Sequence, residues 1–216
     1  LGHGSGQLLP NVSQDALKAY GATIEEARAD LFGLYYTADK KIVELGLLPH
    51  EDAYKAEYYQ FMMNGLMTQL TRIKLGDDIE ESHMRNRQLI AKWVYEKGKE
   101  NNVVEIVERE NKHFVKINNY SKLRLLFGEL LKEIQRIKSE GDFEAAKNLV
   151  EKYGVKIDQK LHREILDRYK RLNLAPYKGF VNPTYTLITN NMGEITDVKV
   201  SYTESYTEQM LRLSNK

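Results

Sequence analysis

The chain contains no cysteine among its 216 residues. This absence excludes disulfide bridges, thiolate metal sites and a cysteine nucleophile, and it fits a reducing compartment, so we expect a cytoplasmic protein. Net charge is also nearly absent, because 32 lysine and arginine residues face 31 aspartate and glutamate residues. That balance argues against a general nucleic-acid binder, which would show a basic excess. No window approaches about 18 uninterrupted apolar residues, so no membrane span is predicted.

What the chain does contain is enough apolar material for a folded core. Hydrophobic residues make up 42% of the sequence and charged residues 29%, a composition typical of globular domains rather than disordered chains. At about 150 residues per domain, the length predicts one large domain or one and a half. The chain begins at Leu1 rather than Met and shows no signal segment, so we expect a fragment or a processed product.

Helical periodicity dominates most of the sequence. Thr23 opens a T-I-E-E capping-box pattern, which predicts a helix from Ile24 to about Leu45 that Gly46 closes. Further helices are predicted over 50–75, 79–97, 121–138, 142–152, 158–173 and 204–213. The apolar stripe of the helix over 50–75 is interpreted as buried core; it consists of Tyr54, Tyr58, Phe61, Met62, Leu66, Leu70 and Ile73.

Two stretches change from helical to strand-like composition. Short β-branched and aromatic runs predict one hairpin around 103–117 and another around 177–203, the second turning at Asn190-Asn191-Met192-Gly193. The predicted fold is therefore mainly α, a helical lobe with two small β hairpins. We predict a first domain over 1–176 and a second part over 177–216, made of the C-terminal hairpin and a short helix.

Histidine is scarce, and this scarcity limits the number of candidate catalytic or metal-binding sites. The five histidines are His3, His50, His83, His113 and His162. We interpret His50, His113 and His162 as ordinary solvated or capping side chains. His3 lies in the segment L-G-H-G-S-G, and such a Gly-, Ser- and His-rich start is also what an expression tag leaves behind.

An acidic cluster opens the first long helix, with the sequence E-E-A-R-A-D over 25–30. Acids at a helix start usually serve only the helix dipole. Glu26 and Asp30, however, are four residues apart and share one helix face. Zinc hydrolases often combine two histidines from one helix with a carboxylate from a second. A histidine followed by this cluster therefore leaves room for a histidine–carboxylate metal site.

The two segments together resemble the dipeptidyl peptidase III family of zinc exopeptidases. L-G-H-G-S-G is similar to the end of that family's H-E-x-x-G-H-G-S-G segment, and E-E-A-R-A-D is similar to its E-E-C-R-A-E segment. Ser82-His83-Met84-Arg85-Asn86-Arg87 resembles its H-M-x-x-R segment. The resemblance covers essentially the whole chain, as the C-terminal part of the family's catalytic region.

The resemblance implies roles for six residues. His3 corresponds to the second zinc histidine and Glu26 to the zinc carboxylate. Glu25 and Asp30 would accept hydrogen bonds that orient the histidine ligands. His83 would stabilise the oxyanion or orient substrate, and Arg87 would contact the peptide. Asp30 departs from the family's glutamate and is shorter by one methylene group.

The resemblance also implies an incomplete site. The family's first zinc histidine and its general-base glutamate would precede Leu1. We therefore predict a zinc dipeptidyl peptidase for the parent protein, with peptide substrates, and an inactive 216-residue chain that binds zinc weakly or not at all. The missing partner would be an N-terminal lobe.

A non-enzymatic helical protein-interaction module is the alternative, with Tyr- and Met-rich surfaces that bind a partner. We expect neither nucleic acid nor membrane among the partners. The hairpin over 177–203 is expected to self-associate, because an isolated two-stranded hairpin is marginal in water and its open edges invite pairing.

Overall fold

The computed structural model describes residues 2–3, 7–173 and 180–214. By internal contacts the chain divides into two units, Leu1–Asn173 and Leu174–Lys216. The predicted boundary at 176–177 and the predicted strand residues 177–179 lie outside the described residues. The helices of the first unit are α1 (Gly21–Thr37), α2 (Lys40–Glu44), α3 (Tyr54–Leu66), α4 (Ser82–Lys97), α5 (Tyr120–Glu140), α6 (Phe143–Val150) and α7 (Gln159–Leu172).

Strands are confined to two antiparallel pairs in the described part of the chain. In the first unit β1 (Val104–Arg109) pairs with β2 (Lys112–Ile117); in the second, β3 (Thr184–Thr189) pairs with β4 (Ile195–Ser201) and α8 (Tyr206–Ser214) follows. The mainly α fold with two hairpins is therefore confirmed. Within the described ranges, no helix combines the length and the apolar character needed to cross a membrane.

The start of α1 differs from the predicted capping box. A 3₁₀ turn over Lys18–Tyr20 runs directly into the helix, which begins at Gly21 with no side-chain cap. Thr23 is 2% exposed inside the first helical turn, so its predicted capping role is wrong. The preceding 3₁₀ turn replaces the side-chain cap, because the backbone at Tyr20 already has right-handed helical dihedral angles.

The first long helix also stops earlier than Leu45. Asp39 accepts a hydrogen bond from the backbone N–H of Lys41 and thereby begins α2 as a separate helix. Arg124 of α5 donates to the other Asp39 oxygen at 3.3 Å. A capping aspartate in the middle of a helical pattern competes with helix continuation, which explains the break.

The core prediction for the 50–75 segment is confirmed, although the helix is shorter. α3 ends at Leu66 and a 3₁₀ turn, Thr68–Arg72, continues it. Tyr58 and Met62 are fully buried. The Tyr58 hydroxyl donates to the carbonyl of Leu34 in α1 at 2.8 Å, so the buried phenol is satisfied.

α3 and α4 approach each other at backbone distance. A Cβ atom on Gly65 of α3 would stand 2.4 Å from the carbonyl oxygen of Arg87. The buried Gln69 side chain donates to the carbonyl of Met84 at 3.0 Å and ties the same two segments together. α4 in turn packs against α1, so the three helices form the frame of the first unit.

The first hairpin turns at Glu110 and Asn111, where both φ angles are positive at 50° and 57°. This geometry belongs to the tight turns that fit the twist of a two-stranded ribbon.

In the second unit, Gly193 has a φ of 80° in the predicted turn. Gln209 of α8 fixes the backbone of Asn182, donating to its carbonyl at 2.9 Å and accepting from its N–H at 2.8 Å.

His162 is not the solvated side chain that the sequence predicted. It is fully buried on α7, and its Nε2 atom donates to the carbonyls of Leu70 (3.0 Å) and Ile73 (3.2 Å). The prediction is wrong because this face of α7 packs on the 3₁₀ turn over Thr68–Arg72.

His113 is partly buried, with Nδ1 3.4 Å from Glu164 Oε2, whereas His50 is exposed as expected.

Candidate functional site

Three of the predicted site residues converge although they lie far apart in sequence. Glu26 lies in the second turn of α1, and His83 lies in the first turn of α4. His83 Nδ1 is 3.2 Å from Glu26 Oε2, and His3 Nε2 is 3.8 Å from the same oxygen. The Glu26 carboxylate therefore lies between two imidazole rings.

The start of α4 explains the position of His83. Glu81 caps the helix and accepts hydrogen bonds from the backbone N–H groups of His83 at 2.8 Å and Met84 at 2.9 Å. The cap fixes the first turn of α4, and α4 packs against α1. The imidazole of His83 is half exposed, so it remains accessible from solvent.

Glu25 sets the orientation of His3. Its Oε1 atom lies 2.9 Å from His3 Nδ1. Burial alone would raise the pKa of Glu25, but hydrogen bonds from Arg28, Lys138 and His3 lower it to about 2. Because an ionised carboxylate only accepts, Nδ1 of His3 carries a proton in this contact. Nε2 is the ring nitrogen that faces Glu26.

Arg28 anchors the backbone beside His3. Its side chain is 1% exposed, and its Nη2 atom donates to the carbonyls of Gly2 at 2.7 Å and His3 at 3.0 Å. The same atom donates to Glu25 Oε1 at 2.8 Å. Lys138 of α5 contacts the other Glu25 oxygen. One buried guanidinium therefore holds both the histidine segment and the carboxylate that orients it.

Arg28 and Lys138 were not identified from the sequence. Arg28 could have been found, because it lies three residues after Glu25 and so on the same helix face. Lys138 lies 113 residues from Glu25, and no local pattern connects the two.

Asp30 and Arg87 lie on the side of the site where α1 meets α4. Burial raises the pKa of Asp30, and the positive charge of Arg87 and the amide of Asn86 oppose this effect. Asn86 is fully buried. Within the described residues, no hydrogen bond joins Asp30 to His3; its predicted role in orienting a histidine ligand stays a prediction.

The donor atoms of His3 and Glu26 fit a shared zinc ion. Zinc binds imidazole nitrogen at about 2.0–2.1 Å and carboxylate oxygen at about 2.0–2.2 Å. The sum of these bonds exceeds the 3.8 Å between His3 Nε2 and Glu26 Oε2, so one ion can reach both atoms. Across residues 2–3, 7–173 and 180–214, no group of three or more His, Asp or Glu side chains is arranged to hold a metal ion.

Comparisons with known proteins give one family and one solved structure of similar fold. The model of peptidase family M49 matches residues 11–209. The structure of DPP III from Caldithrix abyssi matches with a TM-score of 0.59 at 24% sequence identity, covering 78% of this chain and 30% of that one. At this identity the likeness shows the shared fold, and this chain spans less than a third of that structure. Among curated proteins, none matches the sequence significantly.

Proposed function

Because this chain belongs to peptidase family M49, which confirms the resemblance drawn from its motifs, we propose that it supplies part of the active site of a zinc-dependent dipeptidyl peptidase. Such an enzyme releases dipeptides from the N-termini of peptides. The observation that carries the proposal is the convergence of His3 and His83 on Glu26. Histidine and carboxylate donors of this kind are the ligands of catalytic zinc sites.

His3 Nε2 and Glu26 Oε2 would hold the metal. When bound, zinc supplies Lewis acidity that polarises the scissile carbonyl and acidifies water. Glu25 keeps the His3 ring in the tautomer that presents Nε2, and Arg28 keeps Glu25 ionised and in place. Outer partners of this type fix ligand orientation and raise ligand basicity.

His83 and Arg87 would serve the peptide. The exposed imidazole of His83, fixed by the cap of α4, can donate a hydrogen bond to the oxygen that becomes negative during attack. Arg87 lies one helical turn further along α4 on the same face and offers donors to peptide carbonyls. The positive charge of Arg87 also favours the ionised form of Asp30, against the effect of burial on the pKa of Asp30.

We further propose that the 216-residue chain is inactive on its own. Catalytic zinc sites use three protein ligands and a general base. His3 and Glu26 supply two ligands, and the other two groups would come from a longer polypeptide that includes an H-E segment and a substrate-binding N-terminal lobe. With two ligands, zinc binding by this chain would be weak.

The test compares two polypeptides for dipeptide release from dipeptidyl-naphthylamide substrates. We expect no turnover from the 216-residue chain, and chelator-sensitive turnover from a polypeptide extended upstream through an H-E segment. In the extended enzyme, Glu26→Gln should lower kcat/KM by about 100-fold or more, whereas Glu44→Gln, on the exposed helix α2, should leave it unchanged. Full, chelator-resistant activity of the Glu26→Gln enzyme would contradict the proposal.

A protein-interaction module is the second candidate, and the second unit favours it. All residues of β3 and nearly all of β4 are exposed there, including large apolar side chains. If the extended polypeptide lacks peptidase activity while this chain forms stable complexes through that hairpin, the interaction function replaces the enzymatic one.

A further inference from the structure

A cavity of about 580 Å³ lies on the first unit, away from the histidine site. It is formed by the C-terminal half of α4, the first hairpin, the start of α7 and the turn after α6. Lys92, which lines it, follows His83 by nine residues along α4. That spacing corresponds to about 13 Å along the helix and about half a turn around it. The cavity and the candidate zinc site therefore lie on opposite sides of α4.

The cavity has an apolar floor. Leu70 is 1% exposed and Leu66 is 5% exposed, so both lie in the core beneath it. The other aliphatic side chains that line it are Ile106, Ile157 and Leu161. Their combined surface suits the hydrocarbon or aromatic body of a small ligand, and the volume lies within the range of small-molecule sites.

One wall of the cavity is irregular backbone that side chains hold in place. A π-helical turn, Glu151–Val155, follows α6 and brings Tyr153 to the cavity. The buried Gln88 side chain donates to the carbonyls of Tyr153 and Lys156, both at 3.1 Å. Lys92 Nζ donates to the same Lys156 carbonyl at 2.5 Å. These bonds preform the wall, and π turns are frequent at functional sites.

The rim of the cavity carries more positive than negative charge. Its cationic side chains are Lys92, Lys99, Lys152 and Lys160, and His113 lies beside them.

Both acidic groups of the lining are already engaged. Glu96 accepts from Lys152 at 2.9 Å and from the Tyr153 hydroxyl at 2.8 Å. Asp158 caps α7 by accepting from the N–H of Leu161 at 2.8 Å. Glu164 and Glu108 flank His113 at 3.4 and 4.0 Å.

Three ammonium groups of the rim therefore have no carboxylate at ion-pair distance. In the described part of the chain, no ion pair engages Lys92, Lys99 or Lys160. Lys92 is partly buried, and burial lowers its pKa, while the negative charge of Asp158 opposes this effect. An anion in the cavity would relieve this cost, because an opposite charge nearby favours the charged ammonium.

We propose that this cavity binds an amphipathic carboxylate, with its carboxylate at Lys92 and Lys160 and its apolar body on the floor around Leu70. The apolar floor and the cationic rim together select this class. A small inorganic anion would leave the floor uncovered, and a neutral apolar molecule would leave the ammonium groups unpaired. Binding of this ligand requires no peptidase activity.

The probe is octanoate, titrated calorimetrically into the 216-residue chain below its micelle concentration. We expect saturable binding of one molecule per chain. 1-Octanol, with the same tail and no charge, should bind about tenfold more weakly. Acetate, with the charge and no tail, and octylammonium, with the opposite charge, should show no saturable binding.

Substitutions locate the binding site. Lys92→Met and Lys160→Met keep most of the aliphatic stem and remove the charge, and each should weaken octanoate binding about tenfold. Lys147→Met, an exposed lysine of α6 outside the cavity, should leave it unchanged. Should Lys92→Met fail to fold by circular dichroism, the exposed Lys160→Met decides. Equal affinity for octanoate and octanol, no saturable octanoate binding, or unchanged affinity in the Lys160→Met chain would overturn the proposal.

Discussion

Gly2 lies so close to Ala29 of α1 that a Cβ atom on Gly2 would come within 2.8 Å of the Ala29 Cα and carbonyl oxygen atoms. Arg28, the residue before Ala29, donates to the Gly2 carbonyl at 2.7 Å. Steric fit and a buried guanidinium therefore act on the same short segment. The position of His3 is determined by the surface of α1 and not by the imidazole alone.

Replacing Gly2 tests this relationship. Gly2→Val should displace the segment from α1 and break the contact between His3 Nδ1 and Glu25, because the Ala29 backbone cannot move aside within the helix. The ¹⁵N chemical shifts of the His3 ring should then change toward a mixture of tautomers. Gly33→Ala, on the same helix with nothing within 4 Å of the added Cβ, should leave those shifts unchanged and stabilise the helix by up to about 1 kcal/mol. Unaltered His3 shifts in the Gly2→Val chain would disprove the anchoring role.

The pKa of Glu25 predicts a pH dependence of the metal-free chain. Since the folded-state pKa is lowered from 4.5 to about 2, folding favours the ionised carboxylate. Its contribution is present above the unfolded pKa and is lost as pH falls from about 4.5 to about 2. Lys138→Met removes one donor and should raise the pKa of Glu25, which ¹³C NMR titration of the side-chain carboxyl would measure. Lys132→Met, exposed on the same helix, is the control; equal pKa values in both variants would refute the assignment.

His162 provides a prediction about stability. His162→Leu removes the donor to the carbonyls of Leu70 and Ile73. The Leu70 carbonyl keeps its bond from the Ile73 N–H, so the cost is that of two lost hydrogen bonds, together about 1–3 kcal/mol. Urea unfolding should show a loss of that size. The exposed His50→Leu is the matched substitution, with an expected change within about 0.5 kcal/mol. A His162→Leu chain as stable as the unaltered one would mean that these two bonds contribute nothing net.

The second hairpin predicts self-association. Tyr185 pairs with Val200 and Leu187 with Val198, so the four side chains share one face, each between 42% and 64% exposed. We expect sedimentation equilibrium to show dimers or larger species, and Leu187→Thr with Val198→Thr to reduce association at least tenfold. Thr186→Ser with Lys199→Gln, on the opposite face, is the control. A strictly monomeric unaltered chain would rule this association out.

Helix ends were predictable where a single residue determines them. Gly98 ends α4, Gly141 adopts the positive φ of 67° that ends α5, and Asp158 caps α7. The start of α1 was not predictable, because the 3₁₀ turn before it replaces a side-chain cap. The break at Asp39 depends partly on Arg124, which is distant in sequence.

In the candidate site, too, some residues could be predicted from the sequence and others could not. The motifs that resemble the dipeptidyl peptidase III family pointed to His3, Glu26 and His83, which the structure brings together. They could not identify Lys138, whose contact with Glu25 exists only after α5 packs against α1. The prediction that His162 is solvated is wrong for a related reason. The residues around it on α7 are mostly charged, and they gave no indication that tertiary packing buries the face that carries His162.

The close approach of Gly65 to the Arg87 carbonyl limits which substitutions this site tolerates. Position 65 accepts no larger residue while α3 and α4 keep their separation, since even a methyl group would overlap the Arg87 backbone. A variant that pushed the helices apart would shift the helix that carries both His83 and Arg87. Selection for the site therefore acts on a residue that has no functional group, and a mutational scan should find Gly65 as intolerant as Glu26.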